Sequence, residues 1–319
     1  MPEGHVIHRL ANAIDSAFAG SRVEVTSPQG RFAESAAMLD GTVLASAQAW
    51  GKHLVVDFDN HRPDHLLHIH LGLIGKLAVE PTVPVVGQVR LRITDGVTAA
   101  DLRGPQTCEL INDDEWGTVA ATIGPDPIRD DADSDVAWDK VRRSSRRISD
   151  VLLDQRVAAG VGNIYRAEVL FRHRVDPATP GKQISHSTWL AMWDDLVMLM
   201  RAGVESGRID TVQPEHTPEA MGRPPRVDHH GGEVYVYRRE DQPCLVCNTP
   251  VRMVAQRASP VLVPTVSASA SLTVVGFGGQ NEPRHRWSTV DTGVMPGVRS
   301  RVLVDVDTPM RSGPFGPVA

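Results

Sequence analysis

Proline at position 2 and glutamate at position 3 set an amine beside a carboxyl at the start of a 319-residue chain. A second-position proline is small enough for the initiator Met1 to be removed, which leaves Pro2 as a free secondary amine. An α-amino group titrates near pKa ~8, against ~10.4 for a lysine. At neutral pH it is therefore unprotonated far more often than a surface lysine, and it can attack a sugar carbonyl carbon as a Schiff-base nucleophile. Glu3 can move the protons that ring opening requires. Taken alone, Pro-Glu is also an ordinary chain start.

A second group of residues could hold a phosphate. In Val161-Gly162-Asn163-Ile164-Tyr165-Arg166, preceded by Gly160, the glycines let the backbone approach a partner closely. Asn163 opens a helix whose free N–H groups and dipole favour an anion. This stretch lies in a basic segment: Arg142–Lys182 holds nine Lys/Arg against four acids, a local balance of +5. The whole chain carries a formal charge of -6. A phosphate backbone meets a local patch rather than the average. Cys244 and Cys247 form a third group, a Cys-x-x-Cys pair that reads as metal or redox chemistry, since three cysteines are too few for a disulfide scaffold.

The elements that must position these groups follow from patterning. Hydrophobic residues make up 41%, enough for a core, and no run approaches the ~20 apolar residues of a membrane span. No basic n-region precedes an apolar stretch at the start, so no secretory signal is expected. Residues 3–18 suit a helix with His8, Leu10, Ala11, Ile14 and Phe18 on one side. Short β-like runs at 22–26, 42–47, 53–58, 66–70, 76–79 and 89–93 predict an antiparallel sandwich. Gly124-Pro-Asp-Pro127 and the acidic stretch Asp130–Asp135 read as a linker. Helices are expected at 135–143, 148–155, 163–171 and 187–206, the last with Leu190, Trp193, Leu196, Val197 and Met200 on one face. Residues 214–232 read as a mobile connection, and 233–238, 244–247 and 251–254 as a small β-hairpin with a knuckle. Val261–Val275 could supply further strands; the rest reads as a poorly ordered tail. The fold class is α+β, with domains at 1–128, 129–223 and 232–267 and a tail at 268–319.

In order, Met1-Pro2-Glu3-Gly4, Gly51-Lys52-His53-Leu54, His70-Leu71-Gly72-Leu73, Asp101-Leu102-Arg103-Gly104, Leu152-Leu153-Asp154-Gln155 and Gly160-Val-Gly-Asn-Ile-Tyr-Arg166 resemble the Fpg/Nei DNA glycosylases. Val236-Tyr237-Arg238-Arg239 before Pro243-Cys244-Leu-Val-Cys247 completes the series, which covers about residues 2–255. The Pro-Glu-Gly start followed by His5 is closer to the endonuclease VIII-like (Nei) branch. The resemblance implies a bifunctional glycosylase/AP lyase of base excision repair, acting on oxidised bases, with pyrimidines favoured, and nicking by β,δ-elimination. It implies a monomer working on damaged double-stranded DNA in the bacterial cytoplasm, with no membrane partner. Pro2 would attack C1′ and Glu3 would protonate the sugar ring oxygen. Lys52 would hold a phosphate and assist catalysis, and Asn163 would bind a phosphate beside the lesion from a helix–two-turns–helix element. Leu73 and Arg103 would fill the gap left by the extruded base, although Leu73 also fits a sandwich core and Arg103 a plain surface site. Extruding a base costs a few kcal/mol, which explains phosphate clamps and a plug. The alternatives are an Fpg-like oxidised-purine enzyme and a damaged-DNA-binding protein that no longer cuts.

The resemblance fails at the C-terminal end. Relatives close a four-thiolate zinc hairpin. Here Cys244 and Cys247 stand alone, and Val263-Pro264-Thr265-Val266 occupies the place of the second pair. Zinc is expected from the family, yet the ligand set is incomplete, and His229, His230 and His285 fit no ligand spacing. The family's finger arginine corresponds to Arg257, which also fits a plain surface site.

Overall fold

The computed structural model describes residues 2–59, 61–227, 232–254, 261–264, 287–291 and 301–305. It divides into two units, 1–266 and 267–319.

The chain opens with helix α1, Gly4–Phe18, which buries His5, Ile7, Ala11, Ile14 and Phe18. The buried stripe includes Ile7 rather than Leu10, and His8 turns to a polar partner described below. Strands β1 (Ser21–Arg22) and β2 (Glu24–Thr26) come from the single run expected at 22–26, which splits because Val23 passes between two sheets. Helix α2, Ala33–Leu39, follows. The remaining strands are β3 (Val43–Trp50), β4 (His53–Asp59), β5 (Leu66–His70), β6 (Lys76–Pro81), β7 (Leu91–Thr94), β8 (Thr98–Arg103) and β9 (Thr107–Ile111). They form a five-stranded sheet, β1-β3-β4-β5-β9, and a four-stranded sheet, β2-β7-β8-β6, all antiparallel. Their facing sides and α1 enclose one core that includes Phe18, Leu44, Leu54, Phe58, Leu67, Ile69, Leu91 and Leu102. Each such side chain contributes about 1.5–3 kcal/mol by leaving water.

Helix α3, Asp113–Ala120, is closed at its start by a reciprocal capping box between Asn112 and Glu115. The helical lobe comprises α4 (Ser134–Val141), α5 (Ile148–Leu152), α6 (Asn163–Arg172) and α7 (His186–Ser206). Ser185 caps α7 at its start and Gly207, at φ 73°, ends it in the left-handed region. Trp189, Met192, Trp193, Leu196 and Met200 of α7 pack on Tyr165, Val169 and Leu170 of α6 in a second core.

Three expectations change. The 124–127 stretch joins the lobes but is packed rather than loose: Asp126 is only 3% exposed, and the amide of Gly124 donates to the carbonyl of Gln155. Residues 233–238 are no strand, because their amides go elsewhere: Tyr235, Val236 and Tyr237 all donate to the carboxylate of Glu168 at 2.7–2.9 Å. Glu168 is fully buried and also accepts the hydroxyl of Thr211 at 2.6 Å. A wholly buried carboxylate needs such donors, and it takes them from backbone that a sheet would otherwise use. Strands β10 (Val251–Val254) and β11 (Val261–Pro264) do pair, with Arg252 opposite Val263. In the second unit β12 (Trp287–Asp291) and β13 (Arg301–Asp305) pair antiparallel where the sequence reads as tail. Among the described residues no helix is long and apolar enough to cross a membrane.

Candidate active site

Three glycine-bearing segments meet where the lobes join. The amide of Gly4 donates to the carbonyl of Gly160 at 2.8 Å. A Cβ on Gly4 would lie 2.8 Å from the Cα of Gly160, and one on Gly51 would lie 2.8 Å from the Cβ of Ala159. Only glycine lets α1, the β3–β4 turn and the loop before α6 approach so closely. Gln155 fastens that loop, accepting from the amide of Gly160 at 3.0 Å and donating to the carbonyl of Val161 at 2.9 Å.

The side chain of Glu3 enters this junction and is 1% exposed. Its carboxylate accepts from the amides of Ile164 (2.8 Å), Gly162 (3.0 Å) and Tyr165 (3.3 Å). Backbone N–H groups left free by the first turn of α6 therefore hold Glu3. The anion these amides hold is the protein's own, so the phosphate expected at these donors is displaced from them. Burial raises the pKa of Glu3, outweighing the opposing pull of Lys52 and the three amides. Pro2 stands half-buried at the same point.

Lys52 shares a two-residue turn with Gly51, which sits at φ 61° between paired Trp50 and His53. Burial lowers the pKa of Lys52, against the pull of Glu3. The low-dielectric surroundings thus favour a protonated acid and a free amine. Asn163 begins α6, with its buried Oδ1 lacking an intraprotein hydrogen-bond partner.

Leu73 is 71% exposed and so is not sandwich core; its neighbour Ile74, which sequence reasoning missed, is 81% exposed. Arg103 ends β8, and its Nη2 donates to Asp101 (3.0 Å) and to the carbonyl of Val86 (3.3 Å). It is a held arginine rather than a loose one. β6 pairs with β8 so that Lys76 faces Arg103, which brings the Leu71–Gly75 turn to the same sheet end.

The basic segment is less cationic than its count. Arg146 and Arg156 pair with Asp154, Arg142 and Arg143 with Asp139, and Arg172 with Asp195, while Arg166 is 1% exposed. Arg147, Arg174 and Lys182 are exposed without an ion pair among the described residues.

Sequence reasoning also missed a histidine ladder beside Lys52. His53 Nδ1 and His68 Nε2 are 2.9 Å apart, and the His53 and His70 ring centres are 4.9 Å apart. Alternation along β4 and across β5 is the signal that would have found it. Burial lowers His53 and His68 to about 4, and lowers His70 too, with Lys52 adding to it. Buried His5, on α1, is also lowered to about 4. Folded pKa values below the unfolded value mean that the unfolded chain binds more protons. The stability these neutral histidines provide is full above pH 6.5 and is lost as pH falls toward 4. His5→Gln should reduce the slope of unfolding free energy in that window by about 1.4 kcal/mol per pH unit. Urea titrations from pH 7 to 4.5 check this; an unchanged slope refutes the assignment for His5.

Cys244 is buried and Cys247 exposed, with Sγ of Cys247 2.9 Å from the Thr249 hydroxyl. Among the described residues no three His, Cys, Asp or Glu come together to hold a metal. Two thiols leave tetrahedral zinc two ligands short, so the residues described do not fit the ion. Arg257, His229, His230, Val266 and His285 lie outside the described residues.

Residues 1–108 match the model of the formamidopyrimidine-DNA glycosylase N-terminal domain, and residues 123–214 that of the formamidopyrimidine-DNA glycosylase H2TH domain. Endonuclease 8 1 of Mycobacterium tuberculosis is 47% identical over 261 residues, 79% of this chain and 94% of that protein. The chain belongs to the Fpg/Nei family of DNA glycosylases. Another Fpg/Nei member, the formamidopyrimidine-DNA glycosylase of Pseudoalteromonas atlantica, is 30% identical over 68% of this chain and 79% of that protein. The Fpg/Nei fold is also that of MutM solved with DNA containing carbocyclic 8-oxo-G, at TM-score 0.65 and 19% identity, covering 82% of this chain and 98% of that one. Lactococcus lactis Fpg with abasic-site DNA gives TM-score 0.65 at 20% identity, covering 82% and 97%.

Proposed function

We propose that this DNA glycosylase and AP lyase of base excision repair removes oxidised pyrimidines in preference to oxidised purines, through Pro2, Glu3 and Lys52. The carrying observation is the carboxyl of Glu3, buried at the lobe junction next to Pro2 and under the charge of Lys52. The nitrogen of Pro2 would form a bond to C1′ as the bond from C1′ to the base breaks. Glu3 would give its proton to the ring oxygen as the sugar opens, leaving a cationic iminium (the Schiff base of a secondary amine) that holds the strand. Loss of the C2′ proton would then expel the 3′ phosphate, and a second elimination the 5′ phosphate. A raised Glu3 pKa suits a proton donor at neutral pH, and a lowered Lys52 suits proton transfer beside it. Asn163 and Lys52 would each hold a backbone phosphate, which positions DNA without reading its sequence. Leu73 and Arg103 would fill the stack, and Arg257 would take the place of the finger arginine. Cys244 and Cys247 would act as a reduced hairpin knuckle, and the protein would work as a monomer in the cytoplasm.

Duplexes carrying one oxidised pyrimidine or one 8-oxo-purine each test this reading. Faster release of the pyrimidine with a gap bearing phosphate at both ends is expected. Faster purine release would overturn the lesion preference, and tight binding without any nick would make the protein a damage binder instead.

A further inference from the structure

Asp126 is among the buried carboxylates that the mechanism above leaves unused. It is 3% exposed and lies in the segment joining the two lobes. Its Oδ2 accepts from the amide of Gly51 and from Nε2 of His8, both at 2.7 Å, and its Oδ1 accepts from the amide of Ile128 at 3.0 Å. Three donors from three segments converge on one side chain.

One of those donors matters more than the others. The Gly51 amide belongs to the two-residue turn that carries Lys52. On its other side the turn is pressed against Ala159 and Gly160, with no room even for a Cβ. It can therefore neither slide toward the loop nor flip its peptide without taking one of three donors from the buried carboxylate of Asp126. Deserting a buried carboxylate costs more than its bond contributes. His8 ties the same oxygen to α1, the helix that begins immediately after Pro2 and Glu3. A single oxygen thus ties Lys52's turn to α1, whose first residue follows Glu3.

We infer that Asp126 is the positioning residue for Lys52, holding its amine in register with Pro2 and Glu3 through the Gly51 amide and His8. The inference rests on the role proposed above for Lys52. Misplacement of a reacting group by about 1 Å costs on the order of 100-fold in rate. Asp126→Asn keeps an acceptor for Gly51 but weakens both bonds to Oδ2.

The test is a double-mutant cycle on single-turnover base excision, with Lys52→Ala, Asp126→Asn and the double variant at saturating enzyme. Asp126→Asn alone should slow excision about 10-fold or more, and in the Lys52→Ala background it should add less than about 2-fold. A merely structural carboxylate would slow both backgrounds equally, and that additive result overturns the inference. If Lys52→Ala leaves excision unchanged, the reading of Lys52 fails and the inference falls with it. Should Asp126→Asn not fold, as judged by its melting transition, His8→Ala serves in the same cycle. It removes the second partner of the same oxygen from a side chain 13% exposed, and the same non-additivity is required.

Discussion

One residue placed ahead of Pro2 is expected to abolish covalent trapping. Native protein, borohydride and an abasic-site duplex should yield a stable protein–DNA adduct; protein extended by a single glycine should yield none. Acylation turns the secondary amine into an amide, whose nitrogen lone pair is delocalised into the carbonyl and no longer nucleophilic. The imine route closes entirely, while the exposed Arg147, Arg174 and Lys182 and the rest of the surface are unaltered. Binding of the abasic duplex should therefore stay within about 3-fold of native, because phosphate contacts are made independently of the nucleophile. Gel analysis of the adduct together with a binding titration makes the comparison. Equal trapping by the extended chain would assign the nucleophile to a lysine, with Lys52 the first candidate.

The second large effect belongs to a position without a side chain. A Cβ at Gly162 would lie 2.4 Å from Cδ of Glu3, inside the carboxyl it must accommodate. Gly162→Ala either drives that carboxyl off the first turn of α6 or shifts α6 itself. Overpacking of this sort costs about 1–3 kcal/mol of stability. The larger loss is chemical. A displaced Glu3 loses both its orientation and the burial that raises its pKa, and general acid catalysis contributes about 100- to 10,000-fold. Excision should fall within that range, and the alkaline decline set by Glu3's proton loss should move to lower pH. Gly117→Ala in α3 is the control, since nothing lies within 4 Å of its Cβ. It should leave excision unchanged and stabilise α3 by up to about 1 kcal/mol. Retention of native excision by Gly162→Ala would remove Glu3 from the acid's role.

How much of this could be read from residue order depends on the range of the forces involved. Helix α1 and strand β5 follow from apolar spacing, and β5 falls at the residues its pattern predicts. Helix α3 was missed although Asn112-Asp-Asp-Glu115 spells a capping box, because α3 has no buried residue to give it an apolar period. Strands β8 and β9 were missed for a related reason. β8 is buried along four of six positions and shows no alternation, and β9 is only partly covered. Motif residues 2, 3, 52 and 163 were legible one by one. Their assembly was not: the bond from Glu3 to Ile164 spans 161 positions, and nothing local in either segment announces the other. The same holds for Glu168, whose claim on the amides of 235–237 undoes a strand that local pattern favours.

The docking of Glu3 on α6 also bears on how the chain is made. The amine-bearing end leaves the ribosome first, yet the amides that seat its acid are about 160 residues behind it. At about 5–20 residues per second, roughly 8–30 s of synthesis separates the two. During that interval Glu3 is an ordinary solvated carboxylate, and the growing polypeptide has a nucleophile without its acid. Contacts of such sequence separation also close late in folding. The nascent chain thus lacks its seated acid until the helical lobe has been synthesised and has closed upon it.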